Sequence, residues 1–325
     1  MAPFMVDMRA PKDAQPYAVF TLQADEGLRD LDYEAVMAAY RTHGALLFRG
    51  AAPDLDEFRD FTGRFCASSV FNESPDRQVF DADHNIQSVN GGADAFPLHP
   101  ELSREPWKPD VAFFHCLQAP DQGGETTICD GVAIVRALPD ALRDLLAGQR
   151  LMYPAGAPPE ILRFWLGTDR PSDVQLATPP TDCPYRFVRE PEGIWRYFTR
   201  PLLHRTMFGR DLAFGNFLLF ARDYLGRRDF PVLADGRGVP DAWVDAVRQE
   251  AHRLTVPVRW QSGDLLMLDN SRFMHGRRPI ADPSKRLIAT YFGYLRDARP
   301  DPEEPPQARW RQAAFRPPQR QPVAV

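Results

Sequence analysis

Lysine is almost missing from this chain. Only Lys12, Lys108 and Lys285 stand among its 39 basic residues, so arginine carries nearly all the positive charge. That bias reads as genome composition rather than as function. Cysteine is scarce too: Cys66, Cys116, Cys129 and Cys183 are scattered with no CxxC pair, so neither a disulfide framework nor a zinc knuckle is indicated. No run approaches the 18 apolar residues that a membrane-spanning helix needs. The opening MAPFMVDMRAPKDAQ lacks the apolar stretch of a secretory signal, so a cytoplasmic protein is expected. A net charge of −5 gives no electrostatic footprint for nucleic acid or for an anionic membrane.

What is present is ordinary globular composition: 44% hydrophobic and 26% charged residues over 325 positions. The 32 prolines cluster at 97–120, at 154–191 and in the tail from Pro300. One domain over 1–325 is expected, with 298–325 a Pro-rich tail, extended and partly mobile. Asp32–Tyr40 has helical spacing and leads into the apolar strand of HGALLFRG. Asp54 is a plausible N-cap for LDEFRDFTGRF, and Pro240 opens an amphipathic helix over 240–254. VAFFHCL (111–117), GETTICD (124–130), VPVRW, LLMLDN and RLIATYFGYLR read as short strands between turns. Many short strands with flanking helices predict an α+β protein on a sandwich or barrel, not a doubly wound sheet.

Among seven histidines, His99 stands out because Glu101 follows at i+2. On an extended backbone both side chains leave from one face. His275 follows the strand LLMLDN and precedes GRRP, in what reads as a loop. Two imidazoles and a carboxylate on one side of a metal leave three positions open, as non-haem Fe(II) oxygenases require. An HxE tripeptide also recurs by chance, and weighs little without a second constellation. Arg286, 11 residues after His275, supplies one, since a guanidinium there could grip a carboxylate beside the metal. A metal-binding cupin without oxygenase activity, such as a hydrolase, lyase or sensor, would keep the first constellation and have no use for the second.

The stretches THGALLFRG, FPLHPELS, PDQGGETTICD, FGRDLAFGN and GDLLMLDNSRFMHGRRPI…KRLIATYF occur in one order over residues 40–297. In that order they resemble the taurine dioxygenase-like, Fe(II)/2-oxoglutarate-dependent oxygenases. The HxE version, GGET and the DN-x4-HGRRP string are most similar to the branch with clavaminate synthase and the syringomycin-pathway aspartyl hydroxylase. The resemblance implies a double-stranded β-helix (jelly-roll, cupin-like) core with the iron at its open mouth. It implies His99, Glu101 and His275 as iron ligands, and Thr126 and Arg286 as the residues that bind the distal carboxylate of 2-oxoglutarate. The implied reaction consumes 2-oxoglutarate and O₂ and oxidises an unactivated C–H bond of a small molecule. The branch points to an amino acid or derivative, free or on a carrier protein; homo-oligomerisation is left open. Taurine dioxygenase has a second arginine where this chain has Thr290, so the sulfonate anchor is missing. Retention of Glu101 disfavours halogenation, for which related enzymes carry a small residue there.

Several further residues have two readings. Gln87, Ser88 and Asn90 lie on the way to His99 and could touch substrate or serve the strand ladder. Asp269-Asn270 could support the His275 loop or merely end a strand. His115 and Cys116 read as core, and His252 as helix surface. Residues 150–200, with Phe164, Trp165, Trp195 and Tyr197 among many prolines, are expected to form a lid with little regular structure.

Overall fold

Residues 7–318, apart from 13, 24, 25 and 306, are described by a computed structural model. Two sheets face one another. The larger runs Asp7–Arg9, Ala18–Thr21, Ala45–Arg49, Leu265–Asp269, Val111–Gln118, Leu287–Leu295, Ile86–Ser88, Val79–Asp81, with Cys66–Ser69 also paired to Leu287–Leu295. The smaller runs Val256–Val258, Thr126–Asp130, Phe273–Arg277, Phe96–His99.

Alternation along the strands decides what each face covers. Leu266, Leu268, Ala112, Phe114, Ile288 and Phe292 point from the larger sheet into one cluster with Val258, Ile128 and Phe273 of the smaller sheet. Their neighbours Leu265, Met267, Phe113, Ala289 and Tyr291 point the other way, against the N-terminal helices. Cys129 and Met274 leave the smaller sheet outward and are covered by Val244, Val247 and Leu218. The order is helices, sheet, sheet, helices, which is why the central strands read as continuous apolar runs. Leu266 is fully buried between the sheets, and Leu266→Ala is expected to cost about 3 kcal/mol.

The N-terminal helices form where their caps dictate. Asp32 accepts from Ala35 N–H to start Tyr33–His43, and Gly44 at φ 72 ends it; Asp54 accepts from Glu57 N–H to start Leu55–Phe65. The helix expected at 240–254 is Asp241–Leu254, after Pro240.

Residues 150–200 differ from expectation. Arg150–Gly156 pairs with Gly193–Pro201 from Arg150↔Pro201 to Gly156↔Trp195, and Arg186–Glu190 adds a further strand. The prolines open rather than break structure: Pro158 and Pro159 start the helix Pro159–Leu166, where a missing N–H costs nothing. Trp165 and Tyr185 sit in the inter-sheet cluster, while Phe164, Trp195 and Tyr197 are half-buried. The tail is also fastened further than expected. Trp310 is buried, Arg311 grips Asp110 through two bonds of 2.8 and 2.9 Å, and Arg309 pairs with Asp182. Residues 319–325 lie outside the described residues.

Candidate metal centre

His275 lies inside the buried strand Phe273–Arg277, not in a loop. Its register partner across the smaller sheet is His99, the last residue of Phe96–His99, and the two rings lie 4.5 Å apart. The run GRRP after His275 suggests a loop, but the strand continues through Gly276 to Arg277. Glu101 reaches the same point from the turn after His99, not from an extended strand. One donor atom from each of His99, Glu101 and His275 fits within a 4.8 Å set. Among the described residues it is the only cluster of three metal-ligating side chains.

The donor set suits a metal ion. The Nδ1 of His99 lies 2.8 Å from the Pro97 carbonyl. A carbonyl only accepts, so Nδ1 carries the proton and Nε2 keeps its lone pair. Burial and the neighbouring His275 push the His99 pKa down to about 3, so the ring is neutral at ordinary pH. Burial alone would raise the Glu101 pKa, but Arg77 and the two imidazoles outweigh it and hold the carboxyl at about 2. Its Oε2 is buried, 3.6 Å from His275 Nε2, and has no hydrogen-bond partner among the described residues. Arg77 also stands 3.6 Å from this oxygen, but neither contact is a hydrogen bond, so Oε2 keeps lone pairs that a metal ion could take.

Thr126 and Arg286 meet at the edge of the same cleft. Arg286 Nε donates to Gly124 O at 2.7 Å and Nη2 to Thr126 Oγ1 at 3.3 Å. Trp260 Nε1 also donates to Thr126 Oγ1, at 3.0 Å. With two donors upon it, that hydroxyl has its own proton left to give. Gly124 is required here. At φ 71, a Cβ would meet Ile280 Cγ1 at 2.9 Å and Arg286 Cδ at 3.1 Å. Burial, and then Arg277, lower the Arg286 pKa to about 10, and among the described residues no carboxylate pairs with it. A half-buried guanidinium with no carboxylate partner could take a carboxylate ligand.

The substrate-side candidates divide. Asn90 lines the cleft, its Oδ1 accepting from Arg77 Nε at 3.0 Å. Gln87 is buried and turned to the main chain of Asn72. Thr290 is buried; its hydroxyl donates to Gln87 O at 2.9 Å and accepts from Arg77 Nη1 at 3.3 Å. Ser88 accepts from Gln78 N–H. His115 is core and His252 is on a helix surface, as read.

Sequence reasoning missed Asn72 and Arg77. Asn72 Nδ2 donates to Glu101 Oε1, and Arg77 stands 3.6 Å from Oε2 with its guanidinium 5.2 Å over the Phe292 ring. Neither belongs to a motif. The positive charge that the sequence lacks at Thr290 is present nearby, contributed by Arg77 from another segment.

A model of the taurine catabolism dioxygenase TauD, TfdA family matches residues 10–291. The chain belongs to this family. A clavaminate synthase-like protein from Arabidopsis thaliana is 24% identical over 274 residues, covering 76% of this chain and 81% of that protein. PvcB from Pseudomonas aeruginosa superposes with a TM-score of 0.60 at 16% identity, over 92% of this chain and 95% of that one. AAD-2, solved with Mn(II) and N-oxalylglycine, gives 0.59 at 16% identity over 92% of this chain and 100% of that one. The structural likenesses bear on fold: mixed sheets with helices, in keeping with a TauD-like jelly roll. As a TauD/TfdA protein, the chain is a non-haem dioxygenase that uses Fe(II) and 2-oxoglutarate, and the cupin without oxygenase activity is set aside. Among the described residues no helix is long and apolar enough to cross a membrane.

Proposed function

We propose that this dioxygenase hydroxylates an unactivated C–H bond of a small metabolite: an amino acid or derivative, free or tethered to a carrier protein. The observation that carries the reading is that His99 and His275, two of the three clustered metal-ligating side chains, line one cleft with Thr126 and with Arg286, which no carboxylate pairs among the described residues. In this reading His99, Glu101 and His275 hold the iron, and Arg286 with the Thr126 hydroxyl holds the far carboxylate of 2-oxoglutarate. The loaded iron supplies the oxidant: substrate, 2-oxoglutarate and O₂ give hydroxylated product, succinate and CO₂. The chain's own part is to leave metal positions open, fix the co-substrate and exclude water with walls such as Phe114, Phe96 and Val89.

The finer assignments belong to the same proposal. The two facing sheets are read as a double-stranded β-helix, and GGET with HxE supports a reading within the branch of clavaminate synthase and the syringomycin-pathway aspartyl hydroxylase. Residues 1–325 are read as one domain, with 150–200 a cover that acts through its packing, since none of the residues lining the cleft comes from it. Anaerobic Fe(II) with 2-oxoglutarate should give the weak visible charge-transfer band of the chelate. Its absence, or no amino acid or derivative raising succinate above the uncoupled background, would count against the proposal.

A further inference from the structure

We infer that Asn72 is a positioning residue that restricts Glu101 to binding iron through one oxygen, and so keeps a metal position open for O₂. The inference rests on the reading of His99, Glu101 and His275 as iron ligands. A six-coordinate metal held by two imidazoles and one oxygen has three positions left, two for the chelating keto acid and one for O₂. A carboxylate that supplied both oxygens would leave only two, and the keto acid would take both. Glutamate is the ligand most exposed to that failure, because its extra methylene lets the carboxylate turn.

The two oxygens of Glu101 are treated differently. Oε1 accepts from Asn72 Nδ2, whereas Oε2 has no hydrogen bond among the described residues and has His275 Nε2 and Arg77 Nη2 each at 3.6 Å. The amide that distinguishes them is itself fixed. Asn72 Oδ1 accepts from Ser74 N–H at 2.9 Å, which sets which end of the amide faces Glu101. Its main chain is gripped at both ends by Gln87: Asn72 N–H donates to Oε1 and Gln87 Nε2 donates to Asn72 O, each at 3.0 Å. Asn72 and Gln87 are both buried, where hydrogen bonds are stronger than in water. Gln87, which the sequence left open to substrate contact or a ladder role, supports the residue that bonds Glu101. Buried partners that orient a metal ligand are worth roughly 10- to 100-fold in the property they govern.

Nitric oxide, an O₂ surrogate with an EPR signal on Fe(II), reads the third position without turnover. Wild type, Asn72→Leu and Gln87→Met are loaded anaerobically with Fe(II) and 2-oxoglutarate, and then titrated with nitric oxide. No charge-transfer band in wild type would sink the ligand reading itself. With the band present, both variants should keep it, because two positions suffice for chelation. Nitric oxide affinity should fall about 10-fold or more in Asn72→Leu and by less in Gln87→Met. Unchanged affinity in folded Asn72→Leu overturns the inference, as does loss of the band while iron stays bound. If Asn72→Leu does not fold, Gln87→Met decides: unchanged affinity there overturns it.

Discussion

Asn270 holds Glu101 by both ends of its backbone. Its Oδ1 accepts from Glu101 N–H at 2.8 Å and its Nδ2 donates to Glu101 O at 3.1 Å, and also to Pro109 O at 2.8 Å. The residue expected to support His275 or end a strand instead fixes the turn that carries the carboxylate. Asn270→Leu leaves three buried main-chain groups without this partner. It should cost roughly 3 kcal/mol in denaturant unfolding and weaken Fe(II) binding about 10- to 100-fold. An Asn270→Leu protein with wild-type iron affinity would show that the turn holds without it.

His99→Ala, Glu101→Ala and His275→Ala should each abolish succinate production while the circular dichroism spectrum stays that of the folded protein. The reading of these three as the iron site fails if any one retains near wild-type turnover at saturating iron.

Arg286→Ala should raise the KM for 2-oxoglutarate by roughly 30-fold, since the lost charge-assisted contacts are worth about 2 kcal/mol. The KM for the organic substrate should move little. Initial rates over a 2-oxoglutarate series check this, and an unchanged dependence would remove Arg286 from the site.

Taurine should not be turned over. Thr290 offers no charge for a sulfonate, and the guanidinium of nearby Arg77 is already engaged by Glu101, Asn90 and Thr290. Sulfite release above background would contradict this.

Lys108 gives a pH signature away from the metal. Burial, and then Arg200, lower its pKa to about 7, against an unperturbed value near 10.5. Between those values the unfolded chain binds the extra proton, so this residue's contribution to stability rises as pH rises from 7. Wild type should therefore gain stability relative to Lys108→Met between pH 7 and 9, measured as the difference in Tm. A constant difference would mean that Lys108 keeps its charge in the fold.

The parts of the site legible in the sequence are those where neighbours in the chain are neighbours in space. HxE, GGET and the arginine that begins the last core strand each fit a few consecutive positions. Asn72 and Arg77 were invisible because segment 70–78 reaches Glu101 only through tertiary packing, and lone Asn and Arg residues carry no periodic signal. The central strands were legible from their unbroken apolar runs, His275 was misplaced because the GRRP run after it resembles a loop, and residues 150–200 were misread because proline at a helix start resembles proline in a loop.

Arg311 grips Asp110, the carbonyl of adjoining Pro109 is held by Asn270, and Asn270 carries Glu101. Arg311 is thus mechanically in series with the turn that carries Glu101, across a path of side chains that do not line the cleft. Removing the residues from Arg309 onward would take Arg311 from Asp110 and slacken the turn from behind. On the proposed assignment of Glu101 to the iron, the trimmed protein is expected to bind Fe(II) more weakly although His99, Glu101 and His275 are all retained.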